Sequence, residues 1–136
     1  MGSDRVYEID GRHFSTIEGF YAEVSRVLIP SVEWGHNLDA FDDILRGGFG
    51  TPDDGFTIRW ARQEISKERL GYSETIRLLE LRLARCPPSS RPSAARELDS
   101  ARAGQGPTTF DRLVEIIRDH GPGGRQAEDR VDLVLA

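Results

Sequence analysis

Six carboxylates, Glu33, Asp39, Asp42, Asp43, Asp53 and Asp54, fall between positions 33 and 54 with one basic residue, Arg46, among them. Acidic and basic residues balance elsewhere, so the formal charge of −5 sits in this window. A patch of one sign focuses potential and speeds encounter with an oppositely charged surface. Ionised carboxylates only accept hydrogen bonds, so the groups they fit are Arg, Lys and His donors. The same side chains could serve a different chemistry. Asp39, Asp43 and Asp119 with His36 could hold a hard divalent cation, or act as acid and base in a hydrolase. No recognised metal spacing, nucleophile elbow or Gly-rich strand-to-helix turn accompanies them, so the expectation is no catalytic residue, no metal ligand and no cofactor. Gly121-Pro122-Gly123-Gly124 follows a helix instead of leading a strand into one, and reads as a tight connection, not a phosphate loop.

The elements that must position these residues are legible in the spacing. Residues 6–9 form a short apolar strand closed by Asp10-Gly11. Ser15-Thr16-Ile17-Glu18 fits a capping box, after which Ile17, Phe20, Tyr21, Val24, Val27 and Leu28 repeat on one helical face until Pro30. Residues 31–36 are a loop. Asn37 caps a short second helix whose apolar residues are Leu38, Phe41, Ile44 and Leu45, and Gly47-Gly48 closes it. Residues 56–60 alternate as a strand, and 61–85 read as helix with a break at Gly71-Tyr72, where Ser73 can cap the second portion. The prolines of 86–92 interrupt any helix. A short helix over 93–103 follows, then a break at 104–107. Thr108 and Asp111 open a last helix with Phe110, Leu113, Val114 and Ile117 inward, and 131–135 is a final strand. Short strands separated by helices predict an α/β fold, a small three-stranded parallel sheet packed with helices.

A helix over 38–45 places Asp39, Asp42 and Asp43 along one exposed ridge, with Arg46 one turn beyond Asp42. Like charges at these spacings weaken an isolated helix by about 0.2–0.5 kcal/mol per pair. An acidic solvated face and a binding surface both fit that arrangement. Trp34 and Phe49 flank the ridge and could anchor an interface, whereas Trp60 reads as core. His36 reads as a solvated loop residue. The 136 residues, 38% hydrophobic and 30% charged, suit one soluble domain over 1–136. No apolar run approaches the roughly 20 residues of a membrane span, and no secretion signal opens the chain. Cys86 is the only cysteine, so no internal disulfide forms, and a cytoplasmic location is expected. The acidic balance argues against direct nucleic-acid binding and favours a basic protein partner.

The order Ile29-Pro30, then Trp34-Gly35-His36-Asn37-Leu38-Asp39-Ala40-Phe41-Asp42-Asp43-Ile44-Leu45, closely resembles the binding segment of the barstar family, intracellular inhibitors of secreted ribonucleases. The likeness covers roughly residues 5–70 and 107–136. Residues 71–106, a helical and loop insertion carrying Arg77, Arg82, Arg85, Arg91, Arg96 and Arg102, have no counterpart in it. The resemblance implies that the loop and second helix plug a basic, phosphate-binding active site in a 1:1 complex with a ribonuclease or related nuclease toxin, and that this immunity protein is no enzyme. By motif position Asp39 and Asp43 match the two principal acidic contacts, with Asp43 in the place of a substrate phosphate, and Asp119 matches a supplementary one. Glu33, Trp34, Gly35, His36, Asn37, Asp42 and Arg46 complete the expected contact surface. Glu33 stands where the family has a tyrosine, and Asp42 and Gly48 each replace a tryptophan, so charge is gained and aromatic anchoring lost. An adaptor for a basic protein that is not a nuclease uses the same patch, and the carboxylate-dependent hydrolase remains the rival class.

Overall fold

The period-two segments pair into a parallel sheet in the order β1-β2-β3: β1 is Val6–Asp10, β2 Phe56–Ala61 and β3 Val131–Leu135. The computed structural model describes residues 5–47, 49–52 and 54–136, so Gly48 and Asp53 lie outside the described residues. Register aligns Tyr7 with Ile58 and Leu133, and Ile9 with Trp60 and Leu135. Those residues share one face because strand side chains alternate. The opposite face holds Val6, Glu8, Thr57, Arg59, Asp132 and Val134, and it carries an ion pair between the register partners Glu8 and Arg59.

Among the described residues six α-helices complete the fold: α1 (Ile17–Val27), α2 (Leu38–Leu45), α3 (Gln63–Arg69), α4 (Tyr72–Arg85), α5 (Arg91–Arg102) and α6 (Thr109–Asp119). An α/β fold with a small three-stranded parallel sheet is therefore what forms. The core is aromatic at its centre. Phe20 of α1 stacks on Trp60 of β2 at 5.3 Å between centroids and meets Phe41 of α2 edge-on at 5.2 Å, while Phe110 of α6 lies 5.1 Å from Trp60. Fully burying such a side chain stabilises by roughly 1.5–3 kcal/mol, so this cluster fixes three helices to the central strand. The Trp60 indole N–H is not stranded there, because it donates to Ser66 Oγ at 2.9 Å.

Several helix ends differ from the sequence expectation, each for a local reason. Thr16, not Ser15, caps α1 by accepting from Gly19 N at 3.1 Å. Glu18 turns away from a capping box and pairs with Arg77 at 2.8 Å. A distant carboxylate completes the cap: Glu74 of α4 accepts from Ile17 N at 2.8 Å, where the helix dipole favours negative charge. The N-cap of α4 is Gly71, ahead of Ser73. Pro92 does not bar α5. It occupies the first turn, where its missing N–H has no intrahelical partner to lose. The capping box of Thr108 and Asp111 on α6 is present, both halves bonded.

Residues 71–106 become α4 and α5 with their connections. Ala94, Leu98 and Ala101 are the buried face of α5. Thr75 accepts from Thr109 N at 2.8 Å, and Tyr72 donates to Gly106 O at 2.7 Å. These bonds, with Glu74, tie α4 to the starts of both α1 and α6. The glycine run after α6 is a tight connection. A Cβ on Gly121 would lie 2.3 Å from Val131 O, so only glycine lets the chain pass that close to β3.

Candidate partner-binding surface

Three local features build the acidic helix. Asn37 accepts from Ala40 N at 2.8 Å and so satisfies one of the orphan donors at the start of α2. Phe41, Ile44 and Leu45 are buried and press the helix onto the core. Gly47 supplies the left-handed C-terminal turn at φ 92°. The loop ahead of α2 is equally well held. Trp34 donates to Ser25 Oγ at 2.6 Å and packs edge-on against Tyr21 at 5.4 Å. Burial pushes the Tyr21 phenol up to about 12, so it stays a neutral platform. His36 adopts φ 47°, uncommon for a side chain-bearing residue, with its ring 4.6 Å from that of Trp34. Gly35 leaves room for Asn37: a Cβ there would meet Asn37 Nδ2 at 2.8 Å.

The expected ridge of three carboxylates resolves into two exposed ones. Asp39 and Asp43, four residues apart, share the outward face of α2. Asp39 has no ion pair among the described residues, and Asp43 has only a loose one, 3.7 Å from Arg46. Asp42 faces inward along the flank of α2. Its carboxylate lies 3.1 Å from Arg46 and 2.7 Å from His120 Nε2. Arg46 also donates to Gln126 Oε1 at 2.8 Å, so it too is spent inside the molecule. Glu33 and Asp54 are exposed and unpaired among the described residues.

His120 is the residue that sequence reasoning missed. Its side chain is 0% exposed, with Nε2 on Asp42 and Nδ1 2.6 Å from Asp129 Oδ2. The imidazole lies between the two carboxylates, within hydrogen-bond distance of both. The ring thereby clasps α2 to the end of α6 and to the 3₁₀ turn Ala127–Asp129. Nothing in linear spacing pairs Asp42 with a histidine 78 positions away.

Asp119 immediately precedes His120 but takes a different direction. It accepts from Arg125 at 2.7 Å and lines a groove with Gln63, Lys67 and Leu135, and Arg125 holds its carboxyl below the usual carboxylate range. It is thus not brought into contact with Asp39 or Asp43. Phe49 is half-buried against the core and Trp60 wholly buried. Among the described residues no group of three or more His, Cys, Asp or Glu side chains is arranged to hold a metal ion. No helix of the described residues is long and apolar enough to cross a membrane.

The outcome is a short, braced helix that offers two exposed carboxylates, Asp39 unpaired among the described residues and Asp43 loosely paired, beside a strained, aromatic-backed loop. The search of curated proteins finds no match. The family model described as barstar, the barnase inhibitor, matches residues 5–86, from the first strand through α4 and including all of the loop and α2. With more than half its length matched, the chain belongs to the barstar family, whose members are ribonuclease inhibitors.

Proposed function

We propose that the protein is an immunity protein, a stoichiometric 1:1 inhibitor of a small basic ribonuclease toxin, acting in the cytoplasm and without turnover of its own. Asp39 and Asp43 enter the cationic cleft that otherwise binds substrate phosphate, where Arg, Lys and His donors complete their hydrogen bonds. Family membership supports the target class. The observation that carries the reading is the contrast on one helix: Asp42 is neutralised internally, while Asp39 and Asp43 are left facing out.

Within this reading each side chain of the surface takes a role. Trp34, Gly35, His36 and Asn37 shape the approach, and Glu33 adds charge where aromatic contact is reduced. Asp42 and Arg46 act by bracing α2. Asp119, engaged by Arg125, makes the smaller contribution of a supplementary contact. Losing one partner of a desolvated charge pair costs roughly 2–5 kcal/mol and appears mainly in dissociation. Asp43→Ala is therefore expected to speed dissociation from a small basic ribonuclease at least about 30-fold, with loss of inhibition. Asp54→Ala, off the helix, changes chiefly the association rate, which falls as salt rises. Stopped-flow binding and a ribonuclease assay on folded variants check both. Unchanged inhibition by Asp43→Ala would overturn the assignment.

A further inference from the structure

Helices α4, α5 and α6, together with Ile17 of α1 and Leu38 of α2, line a cavity of about 450 Å³ whose lining includes neither Asp39 nor Asp43. Its floor is apolar, made by Ile17, Leu38, Leu78, Leu79 and Leu113. The mouth is charged. Arg82, Arg96 and Arg112 stand there with a single acid, Glu97. Glu97 is shared by two of the arginines, 3.1 Å from Arg82 and 3.7 Å from Arg112. Arg96 has no ion pair among the described residues. Ile17 and Leu113 are buried, Leu38, Leu78 and Leu79 are half-buried, and Arg82 and Arg112 are about half exposed, so polarity and exposure rise together toward a cationic rim.

We infer that this cavity is a binding site for one small amphipathic anion, with a hydrocarbon or aromatic body against the leucines and a carboxylate at the arginines. Pockets of roughly 300–1,000 Å³ lined by apolar groups, with a few convergent polar ones, are the usual form of small-molecule sites. Three arginines against one glutamate select an anion, and the planar guanidinium fork suits a carboxylate. Concavity also separates this feature from a surface patch, since residues of five helices line it and a chain segment would have only its rim. The site depends on α5, which lies beyond the matched residues 5–86, and it meets the helix that carries Asp39 and Asp43 through Leu38.

Decanoate below its micelle-forming concentration is the probe. Titration of the isotope-labelled full chain is expected to shift the methyl signals of Leu78, Leu79 and Leu113 saturably at a 1:1 ratio, with decyltrimethylammonium giving no such shift. Arg96→Gln should weaken decanoate about tenfold, the loss of one charge-assisted hydrogen bond. Ser100→Trp, on the exposed lining of α5, should fill the cavity and abolish binding while circular dichroism stays that of the parent. The inference falls if decanoate does not saturate, if the cationic probe shifts the same methyls, or if both variants bind like the parent. It also falls if the parent ignores decanoate while Ser100→Trp loses a ribonuclease partner, which would make the cavity part of a protein interface.

Discussion

Neighbouring carboxylates on α2 face different fates because about 100° of helix rotation separates each residue from the next. Asp42 lands on the flank beside α6 and finds His120, while Asp39 and Asp43 stay in water. His120 is the residue on which this partition depends. Removing it would leave Asp42 and Asp129, the partners of its two ring nitrogens, without the ring they share. A buried group left without its hydrogen-bond partner costs about 1–3 kcal/mol, and removing the imidazole also leaves a cavity. His120→Ala is expected to lower unfolding free energy by about 2–4 kcal/mol in urea denaturation. The same change in an Asp42→Asn background should cost less, and the difference measures the coupling. Equal losses in both backgrounds would show that His120 acts only through packing.

At the scale of elements, α2 is a helix of two turns that propensity alone cannot hold. Its stability comes from the Asn37 cap, the three buried side chains and the His120 clasp. Asn37→Ala removes the acceptor for Ala40 N and is expected to cost about 1 kcal/mol by thermal or urea unfolding. Because Asp39 lies in the first turn, fraying there should also weaken ribonuclease binding. Asn37→Gly should cost only a few tenths of a kcal/mol, since glycine is tolerated at this position. A loss as large as that of alanine would argue that the amide serves the loop, through its bond to Gly35 O at 3.2 Å, more than the helix.

For the molecule as a whole, charge is segregated: acids gather on α2 and its flanks, arginines on α4 and α5. Several carboxylates are also built into joints between elements. Hydrogen bonds from the Arg12 side chain and backbone, aided by the nearby Arg62 charge, hold Asp10 down to about 2 from an ordinary 3.8. Arg77 lowers Glu18. At Glu23 burial pushes upward, but bonds from Asp10 N, Arg26 and His13 outweigh it and the net direction is down. A carboxyl lowered on folding stabilises above its unfolded range and loses that contribution as pH falls through its folded value. For Asp10 the loss runs from about 3.8 to about 2. Asp10→Asn should therefore be less stable than the parent at neutral pH, and the gap should close as pH approaches about 2, followed by urea midpoints across pH. A gap independent of pH would mean that the charge of Asp10 has no part in it.

The amino-acid order by itself determined the helices and strands with strong periods, the Asn37 and Thr108 caps, the parallel α/β class and the Gly-x-Asn-Leu-Asp-Ala segment that carries the family. The helices, strands and caps rest on interactions within a few residues, which spacing encodes directly, and the class follows from the alternation of strands and helices along the chain. Exchanges between near neighbours were less legible: Thr16 replaced Ser15 as cap because Glu18 had a better partner in Arg77. Tertiary structure alone decided that Asp42 turns inward to His120, that Glu74 caps α1 from α4, and that residues of five helices line an arginine-rimmed cavity. Those contacts join residues tens of positions apart. They depend on strand order and on how the helices dock against the sheet, quantities that no local period contains.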